Sequence, residues 1–402
     1  FSQCAARVQP EFALDQSRPA VIEICRLVEG LPLGIELAAA GLYQQSPTEI
    51  ASAIASDLDA LAGMRDMPTR HRSIRAVFEY SWAMLPAAER TAHAQLAVFR
   101  GGFTAAAAQA VANISPETLT TLSNKSLLRY DERNQRYEMH ELLAQFSGEH
   151  LAQTPTVKSE THARHAEHYL QALASHRSDL RSANQLASLQ SIETDLPNIR
   201  LAWQWAAENQ HAEWLLAADS ALYAYIEVRS QYQMGFSLFS TAAAAIPEPA
   251  QSAALRMAVA ALQVLLGRYT EAQTELAGIN PEHLTPNQQT RAKLIAARTH
   301  QRLGEYETAH QMVTQAQAEF AAQGDQHGRY AGRYGSISAS PRKQHRSPAP
   351  VSRTRHALLH CQRPQQYGHQ FGCVRQARRY RCLPHRKPNP LRTTWRPPWY
   401  GP

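Results

Sequence analysis

The chain has 402 residues, of which 44% are apolar and 19% are charged. This length allows two or three domains, and the composition is that of a globular protein. No apolar run is long enough to cross a bilayer, and no signal-peptide pattern is present. The sequence therefore predicts a cytoplasmic protein without a membrane partner.

The formal net charge of +7 is unevenly distributed along the chain. Residues 326–402 contain 16 of the 41 Lys and Arg and none of the 34 Asp and Glu, which leaves 25 basic against 34 acidic side chains in residues 1–325. Because the main part of the chain is acidic, a nucleic-acid-binding body is disfavoured. The five cysteines include no C-x-x-C pair, so they predict neither a disulfide framework nor a metal site.

The first 99 residues read as a series of helices. Apolar residues recur at helical spacing over residues 21–28, Gly30 can end that helix, and Pro32 fits the first turn of the next one. Residues 46–49, Ser-Pro-Thr-Glu, form a predicted capping box. Further helices are predicted over residues 73–85 and 89–99.

The following region, residues 100–151, predicts helices around one β-hairpin. Residues 127–130 and 136–139 flank a polar turn, and helical patterns precede and follow them. This order favours a winged helix. Its would-be recognition helix, Ser115 to Leu128, carries Lys125 as its one cation, whereas a groove-binding helix needs several. We therefore predict that it packs against other domains.

From residue 157 onwards the pattern is helical and contains an internal repeat. The sequence L-G-x-Y-x-x-A occurs at residues 266–272 and again at 303–309, an offset of 37 residues. This is close to the roughly 34-residue tetratricopeptide period, and we expect the motif to lie in the first helix of each repeat. Three histidines, His162, His165 and His168, predict a solvated helix face rather than zinc ligands.

Residues 329–402, the tail, have a different composition. They contain ten of the 23 prolines and are rich in Arg, His and Cys. Such a segment predicts disorder, and its composition resembles a GC-rich message read out of frame. With permitted codons, the terminal LRTTWRPPWYG becomes CEQLGDRHGMA in a shifted frame. That sequence repeats the Gly-Asp-x-His-Gly pattern of residues 324–328, so we interpret the tail as frame-shifted.

Several motifs of residues 1–155, in this order, resemble a known family. They are ICRLVEGLPLGIELAAA, RHRSIRAVFEYSWAMLPAAER, LAVFRGGFT, LSNKSLLR and RYEMHELLAQF. Together they resemble the C-terminal half of the STAND or NB-ARC (AP-ATPase) regulatory ATPases, in the form found in large bacterial transcriptional regulators with tetratricopeptide repeats. The sequence DLPNIRLAWQWA, which begins at Asp195, resembles that family's linker to the repeats.

The resemblance implies roles for two residues. In the family, the GLPL corner lies near the adenine, and the histidine of an M-H-D motif reaches the ADP phosphate. Pro32 would then lie at the adenine edge and His140 would sense the phosphate, although Glu141 stands where the family usually has Asp. From the residues alone, Pro32 can be only a helix-breaking corner and His140 only a cap at a strand-to-helix junction.

A phosphate-binding loop of the type G-x-x-x-x-G-K-[ST] is absent, since the sequence contains no Gly-Lys dipeptide. We therefore expect no catalytic residue, no ATPase activity and no bound nucleotide for this chain alone, and ADP or ATP only in an intact parent. The chain begins with Phe1 in a helical pattern, which we interpret as the start of a fragment that lacks the P-loop domain.

The predicted fold is mainly α: a helical module (1–85), a winged-helix module (86–155), a tetratricopeptide-like solenoid (157–328) and the disordered tail (329–402). The predicted function is the regulatory half of a signal-transduction ATPase and transcriptional regulator. Its first two modules would lock ADP, and its repeats would bind a protein partner or a small-molecule inducer.

Activation would assemble a homo-oligomer, and DNA would be bound only through a domain not present here. The alternative is an autonomous tetratricopeptide scaffold that binds a protein without nucleotide. A third hypothesis, a basic DNA-binding protein, depends mainly on the tail.

Overall fold

The computed structural model of the protein describes residues 1–61 and 69–324. Within these ranges the chain forms seventeen α-helices and one two-stranded antiparallel sheet. This confirms the predicted mainly α fold. The predictions for the tail, its disorder and its shifted reading frame, concern residues outside the described ranges, as does the end of the predicted repeat region, 325–328.

Five helices form the first part of the chain, and their local signals were predicted from the sequence. Gly30 has a positive φ of 68° after the first long helix, and Pro32 occupies the first turn of the next. The predicted capping box is confirmed: the Ser46 N–H donates to Glu49 Oε2 over 2.7 Å, and the Glu49 N–H donates to Ser46 Oγ over 3.4 Å. The helices are α1 (Ser2–Val8), α2 (Leu14–Leu27), α3 (Pro32–Ala40), α4 (Pro47–Leu61) and α5 (Thr69–Ala83).

The predicted hairpin is confirmed, with strands shorter than predicted. Tyr130 pairs with Tyr137 across the two strands. Phe103 adds two backbone hydrogen bonds to Tyr137, of 2.8 and 2.9 Å, so the turn that contains Phe103 is tied to the hairpin. The elements of this part are α6 (Ala87–Leu96), α7 (Ala105–Ala112), α8 (Pro116–Asn124), β1 (Arg129–Asp131), β2 (Arg136–Glu138) and α9 (Glu141–Ala152).

The next eight helices stack in pairs. Each helix packs against its successor, and the first, third, fifth and seventh of the eight also pack on one another in turn, which is the arrangement of an α-solenoid. The helices are α10 (Pro155–Ser175), α11 (Gln185–Glu208), α12 (Ala212–Arg229), α13 (Tyr232–Ala245), α14 (Pro249–Leu265), α15 (Tyr269–Ala277), α16 (Pro286–Leu303) and α17 (Tyr306–Ala322).

The repeated motif L-G-x-Y-x-x-A does not lie in the first helix of each pair, so that prediction is wrong. Gly267 and Gly304 follow the ends of α14 and α16 with positive φ values of 79° and 89°. Among the described residues other than its chain neighbours, no atom lies within 4 Å of the position that a Cβ would take at either glycine. The glycine is therefore needed for a left-handed turn between paired helices. The alanines, Ala272 and Ala309, are fully buried in the second helix.

One cluster of buried apolar side chains runs from Ala5 to Leu262 through all three predicted modules. Trp203 of α11, a member of this cluster, is 1% exposed and donates its indole N–H to the Leu238 carbonyl oxygen over 3.0 Å. The predicted module boundaries, residues 85/86 and 155/157, thus lie within a continuous core. Among the described residues, we find no helix that combines the length and the hydrophobicity needed to cross a membrane.

Candidate functional site

A cleft of about 810 Å³ lies between the first helices and the hairpin. Arg7 of α1 and the start of α3 form one wall, and the end of α8, the hairpin and the start of α9 form the other. The volume falls within the roughly 300–1,000 Å³ of small-molecule pockets. Pro32 and His140, which are far apart in sequence, both line this cleft. The structure therefore brings the two predicted site residues together.

Pro32 lies in the first turn of α3, as predicted, and its side chain is exposed. Close packing fixes this turn, because a Cβ at Gly34 would lie 2.9 Å from Val28 Cβ. Leu31, the N-cap residue, makes no side-chain hydrogen bond to the helix. The positive end of the α3 dipole therefore lies at the cleft without a side-chain cap.

His140 is exposed at the opposite wall and caps α9. Its Nδ1 accepts the backbone N–H of Leu142 over 3.2 Å. A nitrogen that accepts this hydrogen bond carries no proton, so the neutral imidazole keeps its proton on Nε2. The structure thus shows the capping role that the residue type alone allows, and it leaves Nε2–H as a donor. A doubly protonated ring would lose the cap.

The charged side chains that line the cleft balance each other. They are two arginines, Arg7 and Arg129, and two glutamates, Glu36 and Glu138, all of them exposed. A diphosphate is bound tightly where cations are in excess. The cleft of this chain offers no such excess.

A partly buried polar network ties the hairpin to the repeats. Arg136 of β2 is 9% exposed, and its Nη2 contacts Asp195 Oδ1 over 2.7 Å and the Gly102 carbonyl oxygen over 2.9 Å. Asn198 of α11 accepts the Arg100 N–H over 2.7 Å and donates to the same Gly102 oxygen over 3.0 Å. We call these five residues the junction. They connect the strand that leads to His140 with the first pair of repeat helices.

The turn at Gly101 and Gly102 packs closely against α11 and the hairpin. Gly101 and Gly102 have positive φ values of 71° and 85°. A Cβ at Gly101 would lie 2.9 Å from Pro197 Cγ, and one at Gly102 would lie 3.1 Å from the Tyr137 carbonyl oxygen. Glycine is required here by backbone conformation and by proximity.

The prediction of a solvated face for the three histidines of α10 is wrong for His165, whereas His162 and His168 are half-buried. His165 is 1% exposed, and its Nε2 lies 3.2 Å from Asn198 Oδ1. Burial lowers the pKa of His165 to about 3, and it also lowers the pKa of His162 and of His168. The helix packs on α11 and on the junction, which the local spacing does not reveal. In the part of the chain that the structure describes, no group of three or more His, Cys, Asp or Glu side chains could hold a metal ion.

Sequence reasoning did not single out Arg136, Asp195 and Asn198 as functional residues. A signal for the last two was present, because Asp195-Leu196-Pro197-Asn198 places a proline inside a long helix. A proline inside a helix removes a backbone hydrogen bond of that helix, so it stands out in a helical pattern. Arg136 had no comparable signal in its strand.

Comparison with known proteins gives relatives but no family assignment. The chain matches no protein-family model. Two proteins named "Putative HTH-type transcriptional regulator", from Mycobacterium bovis and Mycobacterium tuberculosis, are each 34% identical to it over 252 residues, which are 60% of this chain and 28% of the relative. An "Uncharacterized protein" of Mycobacterium tuberculosis is 38% identical over 113 residues, 28% of this chain and 29% of the relative. The chain thus spans less than a third of the length of these curated relatives.

One solved structure aligns with much of the chain. It is the crystal structure of a Signal Transduction ATPase with Numerous Domains (STAND) protein with a tetratricopeptide repeat sensor from Pyrococcus horikoshii. The alignment covers 82% of this chain and 61% of that chain, with 13% identity and a TM-score of 0.25. A TM-score this low does not show a common fold.

Proposed function

We propose that this chain is the regulatory portion of a STAND-type transcriptional regulator. In this proposal the cleft between α3 and α9 closes over ADP, and the repeats receive a signal that releases it. A P-loop domain, which this sequence does not contain, contributes most of the phosphate contacts. Similarity to proteins named as transcriptional regulators supports the regulatory class.

The observation that carries the proposal is the common cleft of Pro32 and His140. The family resemblance implies that these two residues contact the two ends of one nucleotide. Residues with such roles must face the same space, and here they do. The uncapped start of α3 and the Nε2–H of His140 are donors suited to an anion.

The junction supplies a route from the repeats to the cleft. Arg136 lies four residues before His140, and its side chain is paired with Asp195 of α11. A movement of α11 that breaks this pair would free the strand that positions His140. We propose that the signal acts in this way, so that binding at the repeats loosens ADP.

The proposal assigns no enzymatic activity to this chain alone. The phosphate loop is absent from its sequence, and the charges of its cleft cancel. ADP or ATP would be a cofactor of the longer protein only. A protein partner or an inducer would bind the repeats, and DNA would be bound through another domain.

Variants of His140 in the longer protein test the nucleotide role. His140→Ala removes both the cap and the donor, whereas His140→Asp keeps a good N-cap residue but removes the donor and adds a negative charge. A hydrogen bond to a charged group contributes about 1.5–3 kcal/mol, so both variants should weaken ADP binding about ten- to a hundredfold. They should also raise basal activity. Isothermal titration with ADP measures the affinity.

The melting temperature separates the two roles of His140. The Asp variant should melt close to the wild type, and the Ala variant should lose about 0.5–2 kcal/mol of stability with its cap. If ADP affinity is unchanged in His140→Asp, His140 is only a cap and the sensor role is wrong. A longer protein that binds no ADP at all would favour the autonomous scaffold.

A further inference from the structure

A second cavity lies within the repeats, between α13, α14 and α15. Its volume is about 320 Å³, at the small end of the range for small-molecule pockets. Phe236 and two alanines of α13 form an apolar wall with Val259 of α14. Ser240, Gln263, Arg256 and Glu275 supply the polar lining. We call this space the repeat cavity.

Two residues of its lining each carry a buried polar atom that lacks a partner. Gln263 is 8% exposed, and its Oε1 forms no hydrogen bond with any of the described residues. Ser240 Oγ is likewise buried and without a hydrogen bond in that part of the chain. Buried polar groups without a partner cost free energy, and native proteins rarely keep them without a purpose. Gln263 Oε1 can only accept a hydrogen bond, whereas Ser240 can also donate one.

The charged groups around the cavity neutralise each other. Arg256 Nε lies 2.5 Å from Glu275 Oε1, and Arg256 Nη1 donates to the Gly278 carbonyl oxygen over 2.8 Å. The Arg268 guanidinium lies 4.8 Å from the centre of the Phe236 ring, and Glu271 interacts with its charge. Because these charges are paired, the cavity favours an uncharged ligand over an anion or a cation.

We propose that the repeat cavity binds a small uncharged compound with a hydroxyl group on an aromatic or similarly apolar body. Both polar atoms are buried in the free chain, so a rotation of the Gln263 or the Ser240 side chain turns one of them into the cavity when the ligand binds. The hydroxyl then donates to Gln263 Oε1 or exchanges a hydrogen bond with Ser240, and the apolar body contacts Phe236 and Val259. A hydroxyl group can do both because it is donor and acceptor at once. The role of this compound as an inducer rests on the proposed function, but its binding does not.

The test compares three probes of one shape on the full chain without nucleotide. Phenol carries the hydroxyl group, toluene has a methyl group in its place, and benzoate has a negatively charged carboxylate group. Ligand-observed NMR titration should give at least tenfold tighter binding for phenol than for toluene or benzoate. Gln263→Met should abolish this preference for phenol and leave toluene binding unchanged or stronger.

Two controls address folding and specificity. Gln251→Met makes the same substitution at an exposed position of α14 and should leave phenol binding unchanged. Gln263→Met should melt at or above the wild-type temperature, since it removes a buried group without a partner. If it does not fold, Ser240→Ala takes its place, with the same loss of preference expected.

The proposal is overturned if phenol and toluene bind equally, if benzoate binds best, or if phenol binds equally well to Gln263→Met. It is also overturned if no probe binds, in which case ordered water alone satisfies these atoms. These measurements contain no ADP. A failure here therefore leaves the nucleotide cleft untested, and a failure of the ADP experiment leaves the repeat cavity intact.

Discussion

Two buried histidines make the stability of the fold dependent on pH. His93 contacts Ser147 Oγ through its Nδ1 over 2.8 Å, and burial lowers its pKa to about 4. Burial lowers the pKa of His165 to about 3. Both side chains therefore stay neutral in the folded protein at pH values where the unfolded chain, with a pKa near 6.5, takes up a proton.

We expect the free energy of unfolding to fall as the pH decreases below about 6.5. Well below pH 6.5, each histidine lowers the free energy of unfolding by about 1.4 kcal/mol per pH unit. Between pH 7.5 and 5.5 the two histidines together should lower it by roughly 2–3 kcal/mol. Urea denaturation at a series of pH values measures this slope. His165→Gln should flatten it, and the exposed His310→Gln should not. An equal slope in wild type and His165→Gln would contradict the assignment.

At the scale of single residues, local signals were predicted well from the sequence. The Ser46 and Glu49 capping box and the Pro32 start of α3 depend only on neighbouring residues, and both are present. The buried position of His165 and its contact with Asn198 depend on α10 packing against α11. No spacing rule within one helix contains that information.

At the scale of elements, two glycines in turns between helices are required for different reasons. Gly304 needs only a left-handed conformation, since in the part of the chain that the structure describes no atom beyond its neighbours lies within 4 Å of the position of a Cβ. Gly101 needs that conformation and also contacts Pro197 of α11. The sequence alone did not separate these cases, because the second depends on a contact between residues almost 100 positions apart.

Alanine at these two positions should therefore destabilise the protein by different amounts. Gly304→Ala should cost about 1–2 kcal/mol for the positive φ alone. Gly101→Ala should cost about 1–3 kcal/mol more, because its Cβ would overlap Pro197 at the junction. Thermal unfolding of both variants measures the difference. Equal losses of stability in the two variants would show that the junction accommodates the added Cβ without a cost in free energy.

The repeat motif illustrates the limit of periodicity. The offset of 37 residues correctly indicates repeated helix pairs, since both copies of the motif lie at the same point of their pair. Its position within the pair was predicted incorrectly, because sequence spacing does not show where a helix ends. The positive φ of Gly267 and of Gly304 settles this.

At the scale of the whole molecule, the cleft was implied by family resemblance, whereas the junction and the repeat cavity emerged from the structure. Pro32 and His140 face one space because α3 and α9 are both packed into the continuous core. Charge balance in that space could not be read from the sequence. It depends on Arg7, Glu36, Arg129 and Glu138 meeting from three separate parts of the chain.

This charge balance predicts weak nucleotide binding by the purified 402-residue chain. Without an excess of cations or a phosphate loop, ADP should bind with a dissociation constant above about 1 mM, and ATP hydrolysis should not exceed background. Isothermal titration and a phosphate-release assay measure the two quantities. Micromolar affinity, or turnover that is lost on mutating a residue within 1–155, would contradict this division of roles.

Photo-crosslinking with 8-azido-ADP tests most directly whether the cleft between α3 and α9 contacts the nucleotide. The reagent carries its reactive group on the adenine, next to the expected position of Pro32. In the longer protein with a P-loop domain, we predict labelling of the tryptic peptide that spans residues 27–65, which excess ADP prevents. Labelling confined to other peptides, or labelling that ADP does not prevent, would contradict the account.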